Sequence, residues 1–332
     1  MIVLGIESSC DETSVAIVRD GKEVFTNVIY TQIAIHTQYG GVVPEVASRM
    51  HVKKITYVLE EALKEANMSY QDIDLIAVTS HPGLIGSLMV GVVAAKTISF
   101  AYNIPIVYVN HIYGHIYANY LESDFEFPLL ALVVSGGHTE LIVMKDHFQF
   151  EKIGETLDDA VGEAYDKIAR VVNVGYPGGP IIDKMAALGE PTYQLPLAMI
   201  NKEGYNFSFS GIKSAVININ HKCEQNGEEL RMNDLAASFQ KAVIDILTSK
   251  TLKAVKEFNI KQVVIAGGVA ANKGLRNQMA NIAKENNFKL TVPSFKYCTD
   301  NAAMIGAAAY PLYLKKEFAD YSLNGESQAD VC

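Results

Sequence analysis

"PLLALVVSGGHTELIVMKD", residues 128–146, has the layout of "IVLGIESSCDETSVAIVRD", residues 2–20: an apolar run, a turn of small and polar residues, and a second apolar run ending on a basic residue and an aspartate. Run, turn and run of this kind read as a pair of β-strands. The return of the layout in mid-chain is an internal repeat, and it predicts two related lobes facing a cleft. A chain of 332 residues is long enough to bury two cores.

Outward from the first copy, "KEVFTNVIY" at 22–30 adds a third β-run, so the chain should open with an antiparallel meander. Residues 44–69 carry Pro44 near the start and apolar residues at helical spacing, which predicts a long amphipathic helix. Strands are expected at 74–80 and 104–110. Between them "LIGSLMVGVVAAKTISFA", 84–101, is broken by Gly86, Gly91 and Lys96 and reads as a buried helix in preference to a membrane span. Helical patterns dominate 157–188 and 232–258, and 261–280 reads as strand, glycine turn and helix. "DNAAMIGAAAYPLYLKKEF", 300–318, is a small-residue helix suited to close packing.

Hydrophobic residues make up 49% and charged residues 20%, a globular α/β composition and not a disordered one. The formal net charge of −9 argues against a free-standing nucleic-acid binder, because phosphate neutralisation needs clustered Lys and Arg. A nucleic-acid substrate would need help from a partner. Cys10, Cys223, Cys298 and Cys332 are scattered, without C-x-x-C spacing, and read as reduced thiols of a cytoplasmic protein. "MIVLGIESSC" lacks a basic leader region and is not expected to be a signal peptide.

The chemistry-bearing motifs fall into three groups. Ser135-Gly136-Gly137 and Gly267-Gly268 end predicted strands in turns whose backbone N–H groups can cradle an anion, with Ser8-Ser9 and Asp11-Glu12 as a polar version in the first hairpin. Neither G-x-G-x-x-G nor G-x-x-x-x-G-K-[ST] is present. In "VNHIYGHIYANY", 109–120, His111 and His115 stand four apart, on one face of a predicted helix and close enough to share a cation. Ile112 occupies the place where H-E-x-x-H has its glutamate, which counts against zincin-type peptide hydrolysis. A third ligand must come from far along the chain; Asp300 of "YCTDNAAMIG" is one such group, although its N-cap position would explain it equally well. Asp159, Glu163 and Asp166 share a predicted helical stretch, most simply a solvated acidic face. "GYPGGPIIDKMA" sets Asp183 in the first turns of a helix, and "NFSFSGIKS", 206–214, suits loop ordering or substrate contact.

Taken together, "GIESSCDETSVAIV", "GGVVPEVASRMH", "NHIYGHIYA", "VSGGHTELIV", "DDAVGEAYDK", "YPGGP", "FSFSGIKS", "AGGVAAN" and "CTDNAAMIG" strongly resemble, in order, the bacterial TsaD type of the tRNA N6-adenosine threonylcarbamoyltransferase family. The resemblance implies an α/β, two-lobed actin-like and Hsp70-like ATPase fold, with duplicated lobes around a nucleotide cleft. The lobes are expected at 1–108 and 109–332, the second including the histidine helix near 110–122. It implies a divalent metal on His111, His115 and Asp300. The chemistry of these donors suits Fe²⁺ or Zn²⁺ better than Mg²⁺, and the resemblance, to a family associated with iron and zinc, favours iron. Val133, Val134, Ser135, Gly136 and Gly137 match the family's contacts to the acyl and phosphate part of threonylcarbamoyl-AMP. Asp166, Gly179 and Asp183 match ribose and adenine contacts, and Asn272 a further adenylate contact. Asp11 and Glu12 match an acidic pair near the reacting group, with Asp11 the candidate to orient or deprotonate the acceptor amine. His81, Tyr113 and Asn206 depart from the family's usual glycine, glutamate and aspartate. The implied partners are tRNA, an inactive TsaB-type paralogue, a small TsaE-type ATPase and a separate synthase that makes the adenylate, with no membrane involved. The paralogue is expected to dimerise through helices of the first lobe, for which 44–69 is a candidate face. An actin-like phosphotransferase, a metallopeptidase and a non-catalytic scaffold are the competing readings.

Overall fold

The computed structural model describes residues 1–322 and 324–328. Ten strands are described: β1 (Ile2–Glu7), β2 (Glu12–Arg19), β3 (Glu23–Thr31), β4 (Leu75–His81), β5 (Ile106–Asn110), β6 (Leu129–Val134), β7 (Thr139–Asp146), β8 (Gln149–Glu155), β9 (Gln262–Ala266) and β10 (Lys289–Thr291). The helices are α1 (Ile33–His36), α2 (Pro44–Ala66), α3 (Ile85–Tyr102), α4 (His111–Ala118), α5 (Val161–Val171), α6 (Gly178–Ala186), α7 (Ser210–Asn226), α8 (Met232–Glu257), α9 (Lys273–Asn286) and α10 (Ala302–Leu314).

Two five-stranded sheets have the same plan. One runs β3-β2-β1-β4-β5 and the other, in the corresponding order, β8-β7-β6-β9-β10. In each, three strands form an antiparallel meander and two more join in parallel beside the first strand. The repeat read from 2–20 and 128–146 is therefore a repeat of topology: Glu7 pairs with Ser14 at the end of one first hairpin, and Val134 with Thr139 at the end of the other.

Contacts divide the chain at Phe125/Glu126, and the described residues from Pro293 to Gln328 belong with the first unit. This differs from the expected boundary at 108/109. The physical reason is local bonding. Lys22 pairs with Asp124 at 2.9 Å, and the Ser294 N–H donates to Glu122 at 2.7 Å, fixing 120–124 to the first unit. The histidine helix α4 likewise packs on α10, and α10 on β1 and β2.

In the first unit, β1 and β2 are buried along almost their whole length, as strands covered on both faces must be. Leu4, Ile6, Val15, Ile17, Ile76 and Val78 form one face of the core with α2 and α3 residues such as Val58, Leu59, Val92 and Ile98. The small residues of α10 cover the other face, where Ala302 to Ala309 are all buried. The apolar run at 84–101 is α3: long and apolar enough for a membrane span by composition, it packs Leu88, Val92, Ala95 and Ile98 inward as a core helix. Helix α2 starts on Pro44 and stops at Asn67, whose left-handed backbone (φ 52°) ends it three residues short of the predicted limit.

The second unit, Glu126–Val292, builds its core on β6, β7 and β9, with every residue of β6 and β9 buried. Helix α8 supplies a long buried face. The chemistry-bearing turns follow β6 and β9, at the ends where strands stop and backbone N–H groups lose their ladder partners.

Candidate functional site

Asn110, the last residue of β5, starts α4: its side chain accepts from the N–H groups of Ile112 (2.7 Å) and Tyr113 (3.3 Å). That places His111 in the first turn and His115 one turn later, both buried, with ring centroids 4.6 Å apart. Gly114, between them, lies against α10, where an added methyl would come within 2.7 Å of Ile305 Cδ1. The close approach brings the start of α10 to the histidines. Asp300 is not the cap of that helix, as its sequence position allowed. Asn301 caps it, accepting from the Met304 N–H at 3.1 Å, and Asp300 is left to face the rings. Its Oδ1 lies 3.1 Å from His115 Nε2 and 3.5 Å from His111 Nε2, and one donor atom from each of the three residues lies within 4.8 Å of the others.

This donor set fits a divalent cation: two imidazoles and a carboxylate converge, and the buried His115 Nδ1 has no hydrogen-bond partner among the described residues, so Nε2 carries that ring's polar contact. Burial opposes a charge on His111, but Asp300 and Glu7 outweigh it and push its pKa to about 9.

The turn from Ser8 to Glu12 is pinned beside the triad. Leu84 N–H donates to Ser9 O (2.7 Å) and Gln32 N–H to Asp11 O (3.1 Å). The buried His51 of α2 donates from Nε2 to Cys10 O (2.9 Å) and accepts from Thr13 Oγ1 at Nδ1 (2.7 Å). Burial holds its pKa down, which keeps this ring neutral. Glu12 is buried as well; burial, then Asp300 and Asp11, push its carboxyl up to about 10, and Thr31 partly offsets them. Glu7, to which the sequence reading gave no role, is fully buried and accepts from Ser9 N, Thr79 Oγ1 and His111 Nδ1. Burial raises the pKa of Glu7, and the charge and N–H of His111 outweigh this to hold it below the usual carboxylate range. Cys10 and Cys223 are free thiols, burial pushes that of Cys10 up, and Cys298 Sγ donates to Pro293 O and Ser294 O, each at 3.6 Å. Cys332 lies outside the described residues.

In the second unit, Val133 and Val134 end β6 in the core and Ser135 begins the glycine turn, where its N–H donates to His138 O (2.8 Å) and its Oγ accepts from His138 N (3.0 Å). The Gly136 and Gly137 N–H groups make no hydrogen bond within the described residues, and a side chain added at either glycine would meet nothing within 4 Å. That is the form of an open anion cradle. Asp166 accepts from Gly178 N (2.7 Å), which ties α5 to the start of α6, where Gly179 is equally open and Asp183 follows one turn later. Burial raises the pKa of Asp166, partly offset by Gly178 and Arg170. The predicted acidic face divides: Asp159 and Glu163 pair with Lys167 at 2.5 and 2.8 Å, while Asp166 turns to Gly178. Asn272 caps α9, accepting from Leu275 N (2.9 Å), and its Nδ2 donates to Gln240 Oε1 (2.8 Å). Beside Gln240, between α6, α8 and α9, lies a cavity of about 370 Å³ lined by Ala186, Ala237, Ile244 and Gly274. Asn206 accepts from Glu155 N at 3.1 Å, a task an aspartate fills equally, so that departure changes no bond.

The sequence model of the tRNA N6-adenosine threonylcarbamoyltransferases matches residues 23–307. The chain belongs to that family. Proteins named tRNA N6-adenosine threonylcarbamoyltransferase from Staphylococcus aureus strain Mu3 and Bacillus cereus strain ATCC 10987 are 54% and 57% identical to it over 331 residues. The alignments cover 100% and 99% of this chain and 97% and 96% of those proteins. Among solved structures, T. kodakarensis HypF superposes with a TM-score of 0.63 at 16% identity, covering 97% of this chain and 49% of that one. Component A of the Acidaminococcus fermentans (R)-2-hydroxyglutaryl-CoA dehydratase gives 0.56 at 15%, covering 94% and 98%. At such identities the likeness concerns the fold alone, and the duplicated mixed sheets are those of the two-lobed actin-like and Hsp70-like fold.

Proposed function

We propose that the chain transfers the threonylcarbamoyl group of threonylcarbamoyl-AMP to N6 of the adenosine 3′ of the anticodon in ANN-decoding tRNAs. The observation that carries this reading beyond family membership is the convergence of His111 and His115 on Asp300. These three residues would hold one divalent cation; their chemistry suits iron or zinc better than magnesium, and iron is our choice from the family resemblance. When bound, the cation supplies Lewis acidity toward substrate oxygens.

The donor is a mixed anhydride and already activated; the difficulty is the acceptor, an aromatic amine whose lone pair is delocalised into the ring. The residues of the chain therefore have to position and stabilise. The Gly136 and Gly137 N–H groups, unpaired and preorganised, hold negative charge on the adenylate as it develops, with Val133, Val134 and Ser135 framing them. Asp166, Gly179, Asp183 and Asn272 take the nucleoside portion. Glu12, whose carboxyl is pushed up by burial and by Asp300 and Asp11, is the weaker proton acceptor of the acidic pair. Asp11 is left to orient the amine and receive its proton. The acidic chain, at −9, does not grip tRNA alone and works in the cytoplasm with a TsaB-type paralogue and a TsaE-type ATPase. Val52, Tyr57, Ile85 and Val93, exposed on α2 and α3, are apolar surface suited to the paralogue. The peptidase and phosphotransferase readings are not favoured: Ile112 stands where a zincin has its base, and the family is named for transfer of a threonylcarbamoyl group and not a phosphoryl group.

The test is mass spectrometry of nucleosides from unmodified ANN-decoding tRNA incubated with threonylcarbamoyl-AMP, the chain and its partner proteins, beside His111→Ala. Threonylcarbamoyladenosine from the wild type and none from the variant is the expected result. No product from a folded, metal-loaded wild-type assembly overturns the reaction, and product from the variant overturns the cation's part in it.

A further inference from the structure

We infer that Glu7 is a positioning residue of the metal centre: its carboxylate fixes the tautomer of His111 and ties that ligand to the turn that carries Asp11 and Glu12. The inference rests on the reading of His111 as a cation ligand, and deepens it.

Glu7 ends β1 with no solvent exposure, and no Lys or Arg pairs with it among the described residues. A carboxylate is not placed in such surroundings without compensation, because desolvation penalises its charge. The compensation is three donors on two oxygens. The Ser9 backbone N–H donates to Oε1 at 2.6 Å; the Thr79 hydroxyl donates to Oε2 at 2.6 Å, and His111 Nδ1 lies 3.0 Å from the same oxygen. Both Glu7 oxygens already accept, from the Ser9 N–H and the Thr79 hydroxyl, so the third contact reads as a further donation, from His111 Nδ1–H. Nε2, the nitrogen that faces Asp300, is then the one that would hold the cation, once the cation displaces any proton there. A carboxylate behind a ligating imidazole, on the nitrogen away from the ion, orients the ring and strengthens it as a ligand.

Two further features single Glu7 out. Among the described residues His115 has no such support, its Nδ1 being buried without a partner, so the two histidines are unequal and His111 is the one fixed from behind. The same carboxylate holds Ser9 N, and Ser9 Oγ lies 3.1 Å from His111 Nδ1, so the ligand and the Ser8–Glu12 turn cannot move independently. Glutamine cannot replace this arrangement. Its amide oxygen can accept from one side, but its NH₂ must then face either the Ser9 N–H or the His111 N–H, donor against donor.

The experiment uses the full chain and Zn²⁺ as probe, with affinity read by competition against a chelator and the His111 tautomer read by ¹⁵N-histidine NMR of the zinc-loaded wild type. The expected result is Nδ1 protonated and Nε2 zinc-bound at His111, with affinity lowered by about 10- to 100-fold in Glu7→Gln. Zinc on Nδ1 of wild-type His111 overturns the inference, as does a folded Glu7→Gln whose affinity lies within twofold of wild type. If Glu7→Gln does not fold, the wild-type tautomer decides alone. A wild-type chain that binds no zinc overturns the cation reading as a whole, and is thereby distinguished from the failure of Glu7's role.

Discussion

A methyl group added at Gly162 would sit 2.7 Å from Ser135 O and 2.8 Å from Gly136 Cα, whereas one added at Gly136 itself meets nothing within 4 Å. One glycine is required by the protein's own packing; the other leaves space the protein does not use. Gly162→Ala gains the roughly 1 kcal/mol by which Ala exceeds Gly in a helix, against an overpacking cost of roughly 1–3 kcal/mol, so net destabilisation and a displaced turn are expected in a urea melt. Gly136→Ala should melt within roughly 0.5 kcal/mol of wild type yet bind threonylcarbamoyl-AMP at least tenfold more weakly. Wild-type affinity in that variant would mean the turn is not the donor's cradle. In the sequence these glycines look alike, since only the neighbours brought by folding separate them. The same limit explains two other residues. Asp300 and Asn301 are adjacent and both suited to capping, and the backbone alone decides that Asn301 caps. Glu7 reads as an acidic residue at a strand end; its burial and its link to a histidine over a hundred positions away leave no local trace.

Among the elements, hairpins and helices were legible because their periods differ and their ends are marked: Pro44 begins α2, and small residues fill α10 because it packs against β1 and β2. The start of α7 was not legible, since its cap comes from another element. Asp158, which precedes α5, accepts from the Phe209 N–H (2.8 Å), the Ser210 N–H (3.2 Å) and the hydroxyls of Ser208 and Ser210, doing from a distance what an N-cap residue does locally. This also gives "NFSFSGIKS" its loop-ordering role. Burial raises the Asp158 pKa, and these hydrogen bonds outweigh it to hold the carboxyl below its usual range. Because the folded value is the lower one, the stabilisation is complete above the unfolded value of about 3.9 and is lost as pH falls through the folded one. Asp158→Ala should cost about 1 kcal/mol at neutral pH and speed amide exchange over the first turns of α7. The difference from wild type should vanish in acid below the folded pKa. Unchanged exchange at pH 7 would show that the helix start is held by something else.

For the whole molecule, the repeat gives each unit one sheet of the same plan, and the candidate chemistry is divided between them: the three metal donors belong to the first unit, and Ser135–Gly137, Asp166, Gly179, Asp183 and Asn272 to the second. The repeat was visible in the sequence, but the boundary was not, because the segment after β10 returns to the first unit and nothing in its composition says so. The division has a thermodynamic consequence. A ligand that binds only the folded state stabilises it by RT ln(1 + [L]/Kd), about 2.7 kcal/mol at a hundredfold excess over Kd, and local protection rises first in the unit that supplies the contacts. Zn²⁺ should therefore slow hydrogen exchange at the Ser8–Glu12 turn, α4 and the start of α10, while AMP should slow it at Ser135–Gly137 and across the junction of α5 with α6. His115→Ala should abolish the zinc response and leave the AMP response intact, because its side chain lies in the unit that does not hold the glycine turn. Zinc protection confined to the second unit, or undiminished in His115→Ala, would place the cation elsewhere and detach the histidine pair from the chemistry.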